Sequence, residues 1–276
     1  MNEARFYRIV CRGVRLFFRP AETVYEVEPD GPAVYVCNHS SVRGPVIMTL
    51  YFPHPHKSWA IDHAVAGGRQ TEVYAFHDVL FGRTKKWKLP SRLAAKFISH
   101  TLPPLLREAG TIPVHRDLRI KETLKSSVDA LERGEDVVIF AESPKRYSEY
   151  VNELQEGFVR LGMLYYQRTG KKLKFYPAYI EKKNRKIAVS APVAYDPDRS
   201  AKDQRTEVCR LLRDGIDRAA RGMKPHKPVP FLPPRWYDAY GEFEDDFAGY
   251  WQMIDEEIKS KPEKTEEKED AAARRS

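Results

Sequence analysis

The 276-residue chain is short of three things, and each shortage narrows what it can be. It has no long hydrophobic run: the best apolar stretches, 44–52 and 137–141, are far too short to cross a bilayer, which takes about 20 residues. It has three cysteines, Cys11, Cys37 and Cys209, far apart and without metal-ligand spacing. A sparse, odd count argues against a disulfide framework and suits a reducing compartment. It has no secretory leader pattern, because arginine interrupts the apolar residues near the N-terminus. The expectation is a soluble or surface-bound protein with one large domain and appendages.

What is present is charge, unevenly spread. The net charge is +8, yet residues 236–258 hold eight acids and no Lys or Arg. The tail, 259–276, has six bases against five acids, which leaves +15 on residues 1–235. A body this basic suits an anionic partner such as phosphate, acidic lipid or nucleic acid. No nucleic-acid motif accompanies it, so nucleic acid is the weakest of the three.

In 3–19, Arg5, Arg8, Arg12, Arg15 and Arg19 recur at alternating steps of three and four, within ~80° of a helical wheel. Phe6, Ile9, Val10, Val14, Leu16, Phe17 and Phe18 fill most of the remainder. The pattern predicts an amphipathic helix over 1–22. It fits either a membrane interface or a docking face on the domain's own core, and both can hold together.

Residues 33–37 (AVYVC), 110–114 and 136–140 (DVVIF) read as buried strands, with 57–61, 173–180 and 186–190 as further strands. Helices are expected over 45–52, 71–80, 91–107, 119–133, 156–168 and 202–221, with Asp117 as N-cap and Gly134 as C-cap of the fourth. The alternation predicts an α/β fold, a mostly parallel or mixed sheet flanked by helices, over 23–222. Five prolines in 225–234 make a stiff linker. Within 223–258 an acidic aromatic segment follows that linker, a candidate helix folded back on the basic body. The charged tail 259–276 is expected to be disordered.

Three strand ends carry chemistry. The first, 37–41, is Cys-Asn-His-Ser-Ser and offers His39, whose neutral-range pKa suits a general base. The second, 110–116, is Gly-Thr-Ile-Pro-Val-His-Arg and offers Arg116, whose planar fork grips phosphate oxygens. The third, 140–146, is Phe-Ala-Glu-Ser-Pro-Lys-Arg and offers Glu142, Ser143, Lys145 and Arg146. His54, His56 and His63 lack a matching carboxylate or cysteine set, so no metal site is expected. Gly67-Gly68 lacks the context of a phosphate loop.

In this order the segments resemble the motifs of the glycerolipid acyltransferases, the lysophosphatidic acid (1-acylglycerol-3-phosphate O-) acyltransferase family. Gly110, Ile112, Pro113 and Arg116 match G-x-I-P-V-x-R, and Phe140 and Glu142 match two positions of F-P-E-G-T-R. Lys145 takes the arginine position, and Gly157 is what remains of F-K-x-G. His39 matches the first position of H-x-x-x-x-D, but Gly44 stands where the family has its aspartate, with Asp62 and Asp78 the next aspartates in sequence. The similarity spans roughly 33–180, with 67–101 as an insertion.

The resemblance implies a glycerol-3-phosphate acyltransferase-like fold. It implies transfer of a fatty acyl group from acyl-CoA or acyl-carrier protein to a lysophospholipid or glycerol-phosphate-like acceptor, with no metal or bound organic cofactor. His39 would be the base, Arg116 with Lys145 or Arg146 the phosphate ligands, Glu142 the group that orients those cations or a hydroxyl, and Ser143 a further substrate-binding residue. The setting implied is cytoplasmic, on the inner face of an anionic membrane. The missing aspartate motivates the alternative, a non-catalytic lipid- or phosphate-binding relative.

Overall fold

The computed structural model describes residues 2–80, 88–143, 149–241 and 247–260. They form two compact units: 1–61 with 105–234, and 62–104 with 235–276.

The first unit is built on strands β1 (Glu22–Tyr25), β2 (Val34–Cys37), β3 (His56–Ile61), β4 (Ile112–Val114), β5 (Asp136–Ile139), β6 (Lys174–Glu181), β7 (Lys186–Val189) and β8 (Val193–Ala194). The order across the sheet is β1-β7-β6-β2-β5-β3-β4, with β8 also pairing β6. β6, β2, β5, β3 and β4 run parallel, as do β1 and β7; β7 and β8 run antiparallel to β6. This is the mixed, mostly parallel α/β sheet that the alternation predicts, with β1 and β8 too short to read from pattern.

Side-chain alternation along β2 splits the core in two. Val34 and Val36 face one layer with Val137, Ile139 and Phe175. There they meet Leu124, Val128 and Leu131 of α6 (Ile120–Glu132), Leu161 of α7 (Arg160–Thr169) and Leu212 and Ile216 of α8 (Ala201–Arg221). Tyr35 and Cys37 face the other layer with Tyr176 and Ile180, against Ile47 and Met48 of α2 (Arg43–Tyr51) and Phe52 beyond its end. Helix α8 lies close on β6: a Cβ at Gly215 would stand 2.5 Å from the Pro177 ring. Helix α6 starts one residue later than the pattern suggests. Asp117 accepts the Arg119 N–H in a turn ahead of it instead of capping it, while Gly134 takes the left-handed conformation just past its end.

Helix α1 (Glu3–Phe17) is capped by the Asn2 side chain. Tyr7, Val10, Cys11 and Val14 are half-buried, a docked stripe at helical spacing. Glu3 pairs with Arg107 at 3.2 Å, and Arg15 lies over the Tyr51 ring. Leu16 and Phe17 remain 82% and 80% exposed beside the arginines. No described helix is long and apolar enough to cross a membrane.

The second unit joins two segments that the sequence keeps far apart. From 62–104 come α3 (Asp62–Ala66), α4 (Gly68–Tyr74), a π-helical turn (Ala75–Val79) and most of α5 (Lys88–Glu108). From beyond 234 come most of α9 (Pro234–Tyr240) and all of α10 (Ala248–Lys259). Trp236 is fully buried against the rings of Tyr240, Phe247 and Tyr250. His77 bonds the Tyr240 hydroxyl through Nδ1 and Glu257 through Nε2, Asp78 accepts from the Tyr250 hydroxyl, and His63 pairs with Asp255. Asp255 and Glu257 of the C-terminal segment thus meet His63 and His77.

Candidate active site

Strands β2, β5 and β4, joined in parallel through β3, carry His39, Glu142 and Arg116 just past their C-terminal ends, the end of the sheet where α/β folds place their ligands. Asn38 ends β2. Its side chain accepts the Ile180 N–H at 2.7 Å and donates to the Ile180 carbonyl at 3.3 Å, which fixes the strand end on β6. The chain then turns sharply, with Ser40 and Ser41 both in the left-handed region (φ 47° and 55°). Two consecutive non-glycine residues there cost of order 1–3 kcal/mol each, strain of the kind that gathers at functional turns.

That turn sets the histidine. His39 Nδ1 lies 2.7 Å from the Ser41 carbonyl oxygen. A carbonyl can only accept, so Nδ1 holds the proton in the neutral ring and Nε2 carries the lone pair. This is the tautomer a general base needs. The Ser41 carbonyl orients the ring as an aspartate would, but brings no full charge to support an imidazolium. Among the described residues no carboxylate bonds the His39 ring.

Two aromatic rings flank the imidazole: Phe140, at 5.4 Å between centroids, and Phe231, at 4.0 Å. Burial beneath them lowers the His39 pKa to about 4, so the ring is neutral at pH 7. Phe231 comes from the proline-rich segment. That segment is fastened upstream, where His226 Nε2 meets the Tyr179 hydroxyl at 2.9 Å and the His226 carbonyl accepts from Tyr150. Nothing in the sequence beyond an aromatic among prolines marks Phe231 as part of the site.

Glu142 is buried, and its two carboxylate oxygens accept the backbone N–H groups of His39 and Asn152. It ties the first motif segment to the third. Burial raises its pKa to about 7 against the pull of those two bonds. Ser143 donates its N–H to the Glu153 carbonyl at 2.7 Å. Lys145 and Arg146 lie outside the described residues. Arg116 is exposed just past β4, three strand positions from β2, or roughly 14 Å at ordinary strand spacing. The structure therefore joins His39 directly to Glu142 and puts Arg116 at the same end of the sheet. Cys37 beside them is no nucleophile, because full burial pushes its thiol pKa up.

The raised Glu142 pKa has a measurable consequence. Between about pH 4.5 and 7 the folded state holds a proton here that the unfolded state has lost, so this group's contribution to stability falls as pH rises. A shift from 4.5 to about 7 corresponds to about 3 kcal/mol. Glu142→Gln is therefore expected to gain about that much on the parent protein between pH 4.5 and pH 7, read by urea unfolding at both. A pH-independent difference would show that the carboxyl is not desolvated.

His54 and His56 sit at the opposite end of the sheet. His54 meets Asp136 at 3.0 Å and stacks on Tyr25, and His56 Nδ1 bonds the His54 carbonyl.

No family model and no curated protein matches the chain. Among solved structures it is similar to the 1-acyl-sn-glycerophosphate (LPA) acyltransferase PlsC from Thermotoga maritima, at 14% identity and a TM-score of 0.44 over 81% of each chain. A likeness that distant carries no functional weight, and the reading below rests on the residues of the site.

Proposed function

We propose that this chain transfers a fatty acyl group from acyl-CoA or acyl-carrier protein to a lysophospholipid or glycerol-phosphate-like acceptor at the cytoplasmic face of an anionic membrane. The observation that carries this reading is the His39 ring: it stands at the C-terminal end of β2, neutral, with Nδ1 held by Ser41 and its loop tied to Glu142. Nε2 takes the proton of the acceptor hydroxyl as its oxygen attacks the thioester carbonyl. The carbon–sulfur bond then breaks, and the thiolate leaves with that proton. Arg116, with Lys145 or Arg146, neutralises the acceptor phosphate. Glu142 positions the His39 loop, with Ser143 beside it. No metal or organic cofactor takes part in this scheme. Helix α1 brings the protein to the membrane through its arginines, Leu16 and Phe17.

The test combines purified protein with anionic vesicles, acyl-CoA and acyl-carrier donors and a panel of lysophospholipids, with products read by mass spectrometry. A new diacyl lipid is expected, reduced at least 100-fold in His39→Ala. No product with any phosphorylated acceptor would sink the proposal. Gly44 in place of the motif aspartate, together with Phe231 over His39, favours a second reading: a lipid- or phosphate-binding relative without the chemistry. Silence of both proteins with vesicle binding intact selects it.

A further inference from the structure

We propose that α5 is a second membrane-binding helix, docking on an anionic phospholipid surface through Leu93 and Phe97 with Arg92, Lys96 and His100 alongside. The proposal concerns the 62–104 segment and stands whether or not the chain transfers acyl groups.

Two rows run along this helix at intervals of four. Arg92 and Lys96 form a cationic row that His100 extends, and Leu93 and Phe97 form an apolar row one residue on. Positions four apart lie one above another on a helix, so the rows are neighbouring stripes. Leu93 is 65% exposed, Phe97 is 70% exposed, and Lys96 and His100 are exposed; Arg92 is exposed too, with its guanidinium over the Phe76 ring. The inward face is already occupied. Ser91, Ala95 and Ser99 are buried at the same spacing, with Ala95 packed beside Phe76, Leu80 and Ile98. Small residues fill this inward row, while Leu93 and Phe97 stay outside beside it, where core packing alone would not leave them. No acid occurs in α5 before Glu108, its last residue.

The charges decide the occupant. A second copy of the chain meeting this face across a two-fold axis would bring like cationic rows together. A neutral apolar partner would leave those cations desolvated without counter-charge. An anionic bilayer supplies both requirements, with headgroup charge for the cationic row and acyl chains for Leu93 and Phe97.

The experiment uses the full chain and vesicles of phosphatidylcholine with or without phosphatidylglycerol. Leu93→Asp/Phe97→Asp is expected to weaken partition onto anionic vesicles at least 10-fold, with an unchanged thermal midpoint because both positions are exposed. Lys96→Glu should weaken binding to anionic vesicles and leave binding to neutral ones unaltered. A Phe97→Trp variant should show quenching by brominated phosphatidylglycerol beyond that of the parent, which separates α5 from α1 and needs no turnover. Absence of that extra quenching on vesicle-bound protein overturns the proposal. So does a concentration-dependent dimer that Leu93→Asp/Phe97→Asp abolishes while vesicle binding is untouched, because the occupant is then a second copy.

Discussion

Putting an aspartate back at position 44 is expected to break the protein instead of strengthening it. A Cβ at Gly44 would lie 2.4 Å from the His39 carbonyl oxygen and 3.0 Å from both the Asn38 carbonyl oxygen and Phe140 Cε1. The first two are backbone atoms of the β2 end, which Asn38 pins to Ile180, and they cannot swing aside as the tip of a long side chain can. The Gly44 N–H also donates to the His39 carbonyl at 3.2 Å, so retreat of the α2 start would cost that bond. A carboxylate among carbonyl oxygens adds repulsion to the clash. We expect Gly44→Asp to lose about 3 kcal/mol or more, with no gain in acyl transfer. Gly44→Ala, which carries the steric part without the charge, should lose less. Thermal unfolding of both, with lipid products measured in parallel, checks this. An unchanged midpoint with raised activity in Gly44→Asp would show that the turn can make room. The departure from H-x-x-x-x-D is therefore more than one exchanged side chain: the turn from His39 to Gly44 has closed around the glycine, and the Ser41 carbonyl orients the imidazole instead.

The second large effect belongs to Phe231. Its ring, 4.0 Å from that of His39, keeps water from the imidazole and disfavours the charged form. In Phe231→Ala the His39 pKa is expected to climb from about 4 toward its ordinary 6.5, a change of up to about 300-fold in proton affinity. NMR titration of the His39 ring protons reads this directly, and Phe231→Leu, which keeps most of the cover, should move it far less. The sign carries into stability. A histidine with a lowered folded pKa costs the folded state stability as pH falls from 6.5 through 4, so Phe231→Ala should recover part of that acid-side loss. An acyl transfer assay should show its acid limb moving to higher pH in the same variant. The fold should tolerate the change, because His226 still fastens the segment to Tyr179 and Tyr150. A His39 titration that stays near 4 would assign the shift to Phe140 and the turn alone.

Much of this protein was determined by its sequence alone. Unbroken apolar runs marked β2 and β5 as buried strands, and three-to-four spacing marked α1 and α6, because local periodicity records which positions leave water. The strand ends bearing His39, Arg116 and Glu142 were legible for the same reason. Periodicity does not record what each buried face meets. Only the tertiary structure decided that β5 lies beside β2, so that Glu142 reaches the His39 backbone. Only packing brought 62–104 together with the C-terminal segment, joining His77 to Tyr240 and Glu257 across more than 150 residues of chain. The proline-rich segment read as a linker, because proline fixes φ but does not say where a neighbouring aromatic ring will land. Its placement of Phe231 on His39 is a long-range contact between segments whose own residues carry no mark of each other, and the closeness that makes Gly44 a glycine comes from a turn geometry that residue type alone does not record.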